Sequence, residues 1–74
     1  MNKARRKVLE ELQTKVEELQ AEVEQLMSEE DETRENMIYG SEVYLRSEEA
    51  SNCMQDALDS LDEVYQAIED AISA

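Results

Sequence analysis

Apolar residues recur at intervals of three and four residues along two long stretches of this chain. The first stretch contains Leu9, Leu12, Val16, Leu19, Val23 and Leu26. The second contains Ala50, Met54, Ala57, Leu61, Val64, Ile68 and Ala71. Such spacing lines up side chains on one side of an α-helix, as in the seam of a coiled coil. Because the only glycine, Gly40, separates the stretches and proline is absent, the pattern predicts an all-α fold, an antiparallel two-helix hairpin.

The hairpin is predicted to be a single domain spanning residues 1–74. We expect the first helix from about residue 3 to about residue 36, a turn over about 37–46, and the second helix over about 47–73. Two serines are equally good N-caps for the second helix: Ser41, directly after Gly40, and Ser47, which is followed by two glutamates. The sequence therefore allows the second helix to begin near residue 41 or near residue 47.

The second helix has a wider apolar surface than the first. With heptad positions lettered a to g, and with Leu9 and Met54 at position a, the helices are expected to meet through positions a and d. The second helix adds a third apolar column at position e, formed by Leu58, Tyr65 and Ile72. The first helix has no matching column, so we expect this column to stay uncovered and to form an oligomer interface. A second copy would complete a four-helix bundle, a homodimer; a groove on another protein is the alternative.

The charge of the chain is strongly negative and unevenly distributed. Twenty acidic residues accompany seven basic ones, for a net charge of -13. Four of the basic residues lie in the first seven positions: Lys3, Arg5, Arg6 and Lys7. The three others and all 20 acidic residues give residues 8–74 a net charge of -17. We expect the basic segment to pair with Glu69 and Asp70 at the end of the second helix. Nucleic-acid binding is disfavoured, because the segment lacks aromatic residues and the acidic remainder repels phosphates.

The acidic residues repeat at heptad positions b and c, on the outer side of each predicted helix. These positions hold Glu10, Glu17, Glu18, Glu24, Asp31, Glu32, Asp62, Glu63, Glu69 and Asp70. A seven-residue repeat spaces carboxylates by about 10 Å along a helix, so each helix carries a ladder of negative charge. Such a rod is comparable to a nucleic acid with its phosphates, and it could bind a basic, nucleic-acid-binding protein surface. The ordinary alternative is that these residues only keep a small helical protein in solution.

The sequence contains no arrangement of residues that is typical of an enzyme. Histidine is absent and Cys53 is the only cysteine, so the usual metal ligands and catalytic bases are missing. Carboxylate catalysis needs a cleft, which a thin hairpin does not enclose. We therefore expect no catalytic residue, no cofactor and no metal. No apolar stretch reaches the length of a membrane span, so we expect a cytoplasmic protein without a membrane or a direct nucleic-acid partner.

Short segments at both ends and at the turn carry a resemblance to a known group of proteins. They are the opening Asn2–Lys7, the turn segments Glu35–Met37 and Gly40–Glu42, and the closing segments Asp56–Leu61 and Ala67–Glu69. In these segments the chain resembles small acidic helical-hairpin proteins encoded by bacteriophages, prophages and mobile elements of Gram-positive bacteria. Where the turn of that group usually carries a proline, this chain has Ile38. The resemblance implies a small accessory protein in a bacterial host cell, where acidic DNA mimics disable nucleases or defence complexes.

Two hypotheses for the function follow from these observations. In the first, the chain is a phage or mobile-element inhibitor or adaptor whose acidic ladders occupy the nucleic-acid-binding surface of a host protein. In the second, it is a structural coiled-coil module that docks through the apolar face of its second helix, and its acidic residues only aid solubility. The two differ in salt response, because binding through charges weakens steeply with ionic strength whereas apolar docking hardly changes.

Overall fold

The computed structural model describes all 74 residues as two long α-helices connected by a short turn. Helix α1 spans Lys3–Arg34 and helix α2 spans Glu42–Ser73. The helices pack side by side in opposite directions and form a hairpin 56 Å long and 15 by 11 Å across. The all-α, two-helix hairpin predicted from the apolar spacing is thus confirmed. Neither helix contains an apolar stretch that could cross a membrane.

Each helix begins at a side-chain cap. The side-chain oxygen of Asn2 accepts a hydrogen bond from the Arg5 backbone N–H at 2.8 Å, and the Ser41 hydroxyl accepts one from the Tyr44 N–H at 3.2 Å. These bonds satisfy backbone donors that the first turn of a helix leaves without partners. Between the helices Gly40 adopts a φ of 78°, in the left-handed region where a Cβ would be strained. The polar caps and this glycine together define the two helix starts and the turn.

Helix α2 begins at Glu42, so of the two candidate caps the chain uses Ser41. The placement of the turn over residues 37–46 and of the helix start at residue 47 is wrong. Ser47 lies about one and a half turns inside α2 and exposes only 4% of its surface. Its carbonyl and hydroxyl oxygens accept hydrogen bonds from Arg34, so Ser47 joins the two helices. Helix α1 ends at Arg34, two residues before the predicted end.

The two helices meet through heptad positions a and e, not through a and d as expected. On α1 the buried and half-buried residues that follow this pattern are Leu9, Gln13, Val16, Gln20, Val23, Met27, Glu30 and Arg34. On α2 they are Tyr44, Ser47, Ser51, Met54, Leu58, Leu61, Tyr65, Ile68 and Ile72, and Ala71 is the one half-buried residue at position d. The leucines at position d of α1 are exposed instead. Because d and e lie on opposite sides of a, each helix is rotated by about 50° from the predicted orientation.

The apolar column at position e of α2 explains this rotation. Leu58, Tyr65 and Ile72 bury more apolar surface against α1 than the alanines that fill most d positions of α2. The e positions of α1 include glutamines, but Gln13 is satisfied there because its Nε2 donates to the Glu69 carboxylate at 2.7 Å. The expectation that Leu58, Tyr65 and Ile72 stay uncovered is therefore wrong.

The hairpin has almost no interior of its own. Only four residues are buried, and Val16 is the only apolar one among them. The exposed surface is 5628 Å², whereas a compact monomer of 8.5 kDa is expected to expose about 4,700 Å². The hairpin thus exposes about 1,000 Å² more than an ordinary domain of its mass.

Contacts between the helices determine their alignment. Gln13 hydrogen-bonds Glu69, and Ser51 hydrogen-bonds Asp31, so residue 13 lies opposite residue 69 and residue 31 lies opposite residue 51. By the same alignment residue 8 lies opposite residue 74, close to the end of α2. Residues 1–7 therefore extend past α2 by about 10 Å, and all of them are exposed.

The basic segment forms none of the ion pairs expected from the sequence. It consists of Lys3, Arg5, Arg6 and Lys7, all within the exposed extension of α1. The two ion pairs of the molecule lie elsewhere, and each is made within one helix. The prediction that Glu69 and Asp70 neutralise the basic segment is wrong, because α2 ends before it reaches that segment.

Candidate functional site

The rotation of the helices gives the hairpin two unlike faces. In an antiparallel pair that packs through positions a and e, position b of both helices points to one side and position d of both points to the other. A shallow groove on the b side agrees with this geometry, because Glu24 of α1 and Asp62 of α2 line it together with Gln20 and Asp59. We call the b side the acidic face and the d side, with the adjoining g positions, the apolar face.

The acidic face combines carboxylates from both helices. The seven acidic residues at position b are Glu10, Glu17, Glu24, Asp31, Glu48, Asp62 and Glu69. All seven are exposed. Between residues 10 and 69 no basic residue occupies a b position, and the only ion pair to this face joins Arg34 to Asp31. The face therefore presents two rows of negative charge with one ion pair, to Arg34, and the basic residues Lys3, Arg6 and Lys7 lie beside Glu10 at one end.

The ten acidic residues predicted to bind a partner do not all share this face. Six of them lie on it, at the b positions Glu10, Glu17, Glu24, Asp31, Asp62 and Glu69. The other four are also exposed but lie at position c, which points away from the opposite helix. Glu18 and Glu32 thus lie on the free side of α1, and Glu63 and Asp70 on the free side of α2. A flat partner on the acidic face would contact the first six and not the last four.

Two further carboxylates belong to this side of the molecule. Glu48 lies at position b of α2, and its heptad position was the signal that could have identified it. Asp59 lies at position f but lines the groove beside Glu24 and Asp62. Sequence reasoning had no signal for Asp59, because its place on the acidic face depends on which side of α2 packs against α1.

The pKa of a tyrosine at the edge of the acidic face is affected by the negative charge of that face. Tyr65, at position e of α2, is half-buried against α1. The negative charge of Glu17, followed by burial and by the charge of Glu69, raises the pKa of the Tyr65 hydroxyl above its ordinary value of 10.0. Because Glu17 and Glu69 belong to different helices, the fields of the two rows of carboxylates add at this point.

A polar cluster replaces apolar packing near the turn. The Arg34 guanidinium donates to the Ser51 hydroxyl at 2.8 Å, to the Ser47 carbonyl oxygen at 3.1 Å and to the Asp31 carboxylate at 2.7 Å. The Ser51 hydroxyl donates to the same carboxylate oxygen at 2.8 Å. These bonds, from Ser51 first and then from Arg34, hold the pKa of Asp31 below its ordinary value. Asp31 thus joins the two helices near the turn, as Glu69 does near the other end of the hairpin through its bond with Gln13.

The apolar face is formed by positions d and g of both helices. Its apolar residues are Val8, Leu12, Leu19 and Leu26 on α1 and Val43, Ala50, Cys53, Ala57, Val64, Ala67 and Ala71 on α2, all exposed except the half-buried Ala71. Position g also holds the charged residues Lys15, Glu22, Glu29 and Arg46. The three leucines expose 40–56% of their surface and Val64 exposes 47%. This face, and not the predicted column at position e of α2, is the apolar surface that the hairpin leaves uncovered.

The residue types that most often bind metal ions are dispersed over the molecule. No three His, Cys, Asp or Glu side chains converge closely enough to hold a metal ion, and Cys53 is an exposed free thiol. Comparison with known proteins found no matching family model, no matching curated protein and no matching solved structure. The acidic face and the apolar face are the two surfaces of this molecule that could bind a partner.

Proposed function

We propose that this protein is a non-catalytic interaction protein whose acidic face occupies a basic, nucleic-acid-binding surface of another protein. The observation that carries the proposal is the placement of seven exposed carboxylates from two helices on one side of the hairpin, where Arg34 forms the only ion pair and the basic extension lies beside Glu10 at one end. The sides of ordinary solvated helices mix charges of both signs. Here the basic residues are mostly confined to the extension of α1.

The density of negative charge is of the order found in a nucleic acid. Residues 8–74 carry a net charge of -17 and occupy about 46 Å of the 56 Å length, since the basic extension takes up about 10 Å, which gives about one net negative charge per 3 Å. Duplex DNA carries one charge per about 1.7 Å of helix axis. A rod with about half that density is attracted to a groove lined by lysine and arginine, and it repels nucleic acid itself. The charge thus suits a protein that binds nucleic acid as the partner.

The setting of this proposal comes from the resemblance described above. A phage or a mobile element gains when a host nuclease or defence complex is prevented from reaching DNA. An acidic hairpin in the bacterial cytoplasm that fills the DNA-binding surface of such a protein would act as a competitive inhibitor, without any chemistry of its own.

Two matched variants separate the acidic face from charge in general. The first variant converts five b carboxylates to their amides: Glu10, Glu17, Glu24, Glu48 and Asp62. The second converts five c carboxylates: Glu11, Glu18, Glu32, Glu63 and Asp70. Both variants lose five negative charges and keep the side-chain sizes, so they have equal net charge. Asp31 and Glu69 are unchanged in both because each accepts a hydrogen bond from the opposite helix, Asp31 from Ser51 and Glu69 from Gln13.

The assay compares what the parent and the two variants retain. Each protein is immobilised, exposed to a lysate of a Gram-positive bacterium, and washed with duplex DNA. We expect the parent to retain proteins that DNA releases and whose binding falls steeply between about 50 and about 200 mM salt. The b variant should lose this retention and the c variant should keep most of it. Equal retention by both variants, or retention that neither DNA nor salt releases, would refute the acidic face as the binding surface.

The uncovered apolar face favours a second function, that of a structural module. In this case the module docks into a larger assembly through the leucines of α1, and the acidic residues only aid solubility. The docking face then differs from the column at position e of α2 that the sequence suggested. Leu19→Glu would abolish retention from the lysate, whereas the b variant would retain the same proteins as the parent at any salt concentration.

Self-association is also part of the proposal. A hairpin with one buried apolar residue lacks the core that a chain of this length needs to be stable by itself. A second copy would supply the missing cover and give the four-helix bundle expected from the sequence.

A further inference from the structure

We infer that a second copy of this chain covers the apolar face, with α1 packed antiparallel against α1 of the second copy and Leu19 near the two-fold axis. This dimer rests on the self-association proposed above. It specifies which face is buried, how the two copies are oriented, and which charges favour that orientation. It does not depend on what the acidic face binds, and its test uses no target protein.

The exposed apolar residues are concentrated on one face. Ten large apolar residues are exposed, and six of them lie at positions d or g: Val8, Leu12, Leu19, Leu26, Val43 and Val64. Leucines are the strongest apolar residues of α1, yet the hairpin leaves those at position d outside its own contact. A helix that contacts two neighbours needs two adjoining apolar columns, and positions a and d of α1 meet that requirement. Position a contacts α2, so position d is free for the second neighbour.

The excess surface of the hairpin is of the size that a stable dimer buries on each partner. The hairpin exposes about 1,000 Å² more than a compact monomer of its mass. A stable protein interface typically buries about 800 Å² on each partner. If two hairpins stacked along their length, the surface that each copy exposes would therefore fall to about that of a compact monomer of its mass.

The two halves of the face have complementary shapes for such stacking. The leucines of α1 can interdigitate across an antiparallel contact, with Leu12 of one copy facing Leu26 of the other. Where two α2 helices overlap in this register, over residues 53–73, the apolar residues at positions d and g are small: Cys53, Ala57, Ala67 and Ala71, with Val64 as the only larger one, while Val43 and Ala50 lie outside the overlap. Small residues let two α2 helices approach closely, while the wider contact forms between the two α1 helices.

Two hairpins can stack their apolar faces about a two-fold axis in two ways, with α1 on α1 or with α1 on α2, and the charges along the helices favour the first. With Leu19 on the axis, Lys15 lies opposite Glu22 of the second copy, and the basic extension at residues 3–7 lies opposite residues 31–35, which include three acidic residues. The other arrangement stacks α1 on α2 of the second copy. It places Lys15 opposite Ala67 and brings both basic extensions to the same end, where they repel. The first arrangement is the one whose charges are complementary.

This dimer leaves the function of the acidic face intact. The acidic and apolar faces lie on opposite sides of each hairpin, so joining two apolar faces turns the two acidic faces outward in opposite directions. One dimer can then bind two partner molecules, one on each side.

Cross-linking tests the orientation. In a Cys53→Ala background, Leu19→Cys places two thiols near the axis, and a short bis-maleimide should join the copies. Leu26→Cys alone should not be joined, because the two residues lie about 21 Å apart along the axis. The double variant Leu12→Cys/Leu26→Cys should be joined. Cross-linking of Leu26→Cys with none of Leu19→Cys would overturn the proposed orientation.

Sedimentation equilibrium tests the face and the charge pairs. The parent should be a dimer at micromolar concentration, Leu19→Glu should weaken dimerisation by more than about 100-fold, and the control Ala21→Glu, on the opposite side of α1, should leave it unchanged. Lys15→Glu should weaken dimerisation by about 3- to 30-fold, and adding Glu22→Lys should restore it. These two residues are exposed, so the pair tests the arrangement even if Leu19→Glu fails to fold.

A well-folded monomeric parent at micromolar concentration would overturn the inference. An equal loss from Leu19→Glu and Ala21→Glu would do so too, and so would a Lys15→Glu defect that Glu22→Lys does not repair. All three results leave the test of the acidic face unaffected, because that test compares b and c variants with the same apolar face.

Discussion

Replacing Arg34 by methionine removes the only cation of the polar cluster and keeps a long, flexible side chain in its place. The Arg34 side chain is only 19% exposed, and its guanidinium donates to Asp31, to Ser51 and twice to Ser47. Methionine cannot donate, so the Ser47 oxygens lose their partner from the other helix. The bond between Ser51 and Asp31 remains, which limits the loss.

The expected loss follows from the value of shielded, charge-assisted hydrogen bonds. Removing one partner of such a group typically costs about 1.5–3 kcal/mol, so we expect Arg34→Met to lower the free energy of unfolding by about 2 kcal/mol. For a chain of 74 residues, 1 kcal/mol corresponds to about 4–8 °C, so the melting temperature should fall by about 8–16 °C. Arg34→Lys keeps the charge without the planar fork and should lie between the parent and Arg34→Met.

Thermal unfolding followed by circular dichroism measures this difference, at one fixed protein concentration for all variants. The matched control is Arg46→Met, the same substitution at the other ion pair, whose side chains are both 75% exposed. Exposed pairs of this kind contribute under about 1 kcal/mol, so the control should melt close to the parent. Melting temperatures for Arg34→Met and Arg46→Met that agree within about 2 °C would refute the idea that the cluster holds the helices together.

Two further predictions concern the turn and the acidic face. Gly40→Ala should lower the free energy of unfolding by about 1–2 kcal/mol, because Gly40 has a φ of 78° and no atom lies near enough for steric conflict to contribute; an unchanged melting temperature would contradict this. In an absorbance titration of the folded protein, Tyr65 should ionise above its ordinary pKa, and Glu17→Gln should shift that pKa down, because Glu17 supplies the largest share of the effect. The raised pKa of Tyr65 also means that its contribution to stability is fully present below pH 10.0 and is lost as the pH rises through the folded-state pKa. Identical titration curves for the parent and Glu17→Gln would show that Glu17 does not act on Tyr65.

The uncovered leucines suggest why the chain packs its helices through positions a and e. If the a and d columns met within one hairpin, the leucines of α1 would be buried there, and the column of Leu58, Tyr65 and Ile72 on α2 would be uncovered instead. Packing through a and e keeps Leu12, Leu19 and Leu26 available, at the cost of a hairpin with almost no core. Folding and association would then be coupled, so the melting temperature should rise with protein concentration.

The sequence by itself determined the elements of this protein and their order. Apolar residues at intervals of three and four, the absence of proline and a single glycine specify two long helices and the place where the chain reverses, because helix formation and chain reversal depend on residues close together in sequence. The acidic residues at positions b and c could also be identified from the sequence, because the heptad position of each one follows from counting along a single helix. Six of the ten acidic residues identified in this way share the acidic face.

Only the tertiary structure decided which columns face each other. Positions d and e flank position a, and a rotation of about 50° about each helix axis exchanges the column that is buried for the one that is exposed. That rotation depends on contacts between residues far apart in sequence, such as Gln13 with Glu69 and Arg34 with Ser47. The same contacts align the helices so that α1 extends past α2. The basic residues of this extension therefore form no ion pair. Counting along the chain could not predict this, because the energy of each column depends on which part of the other helix lies against it.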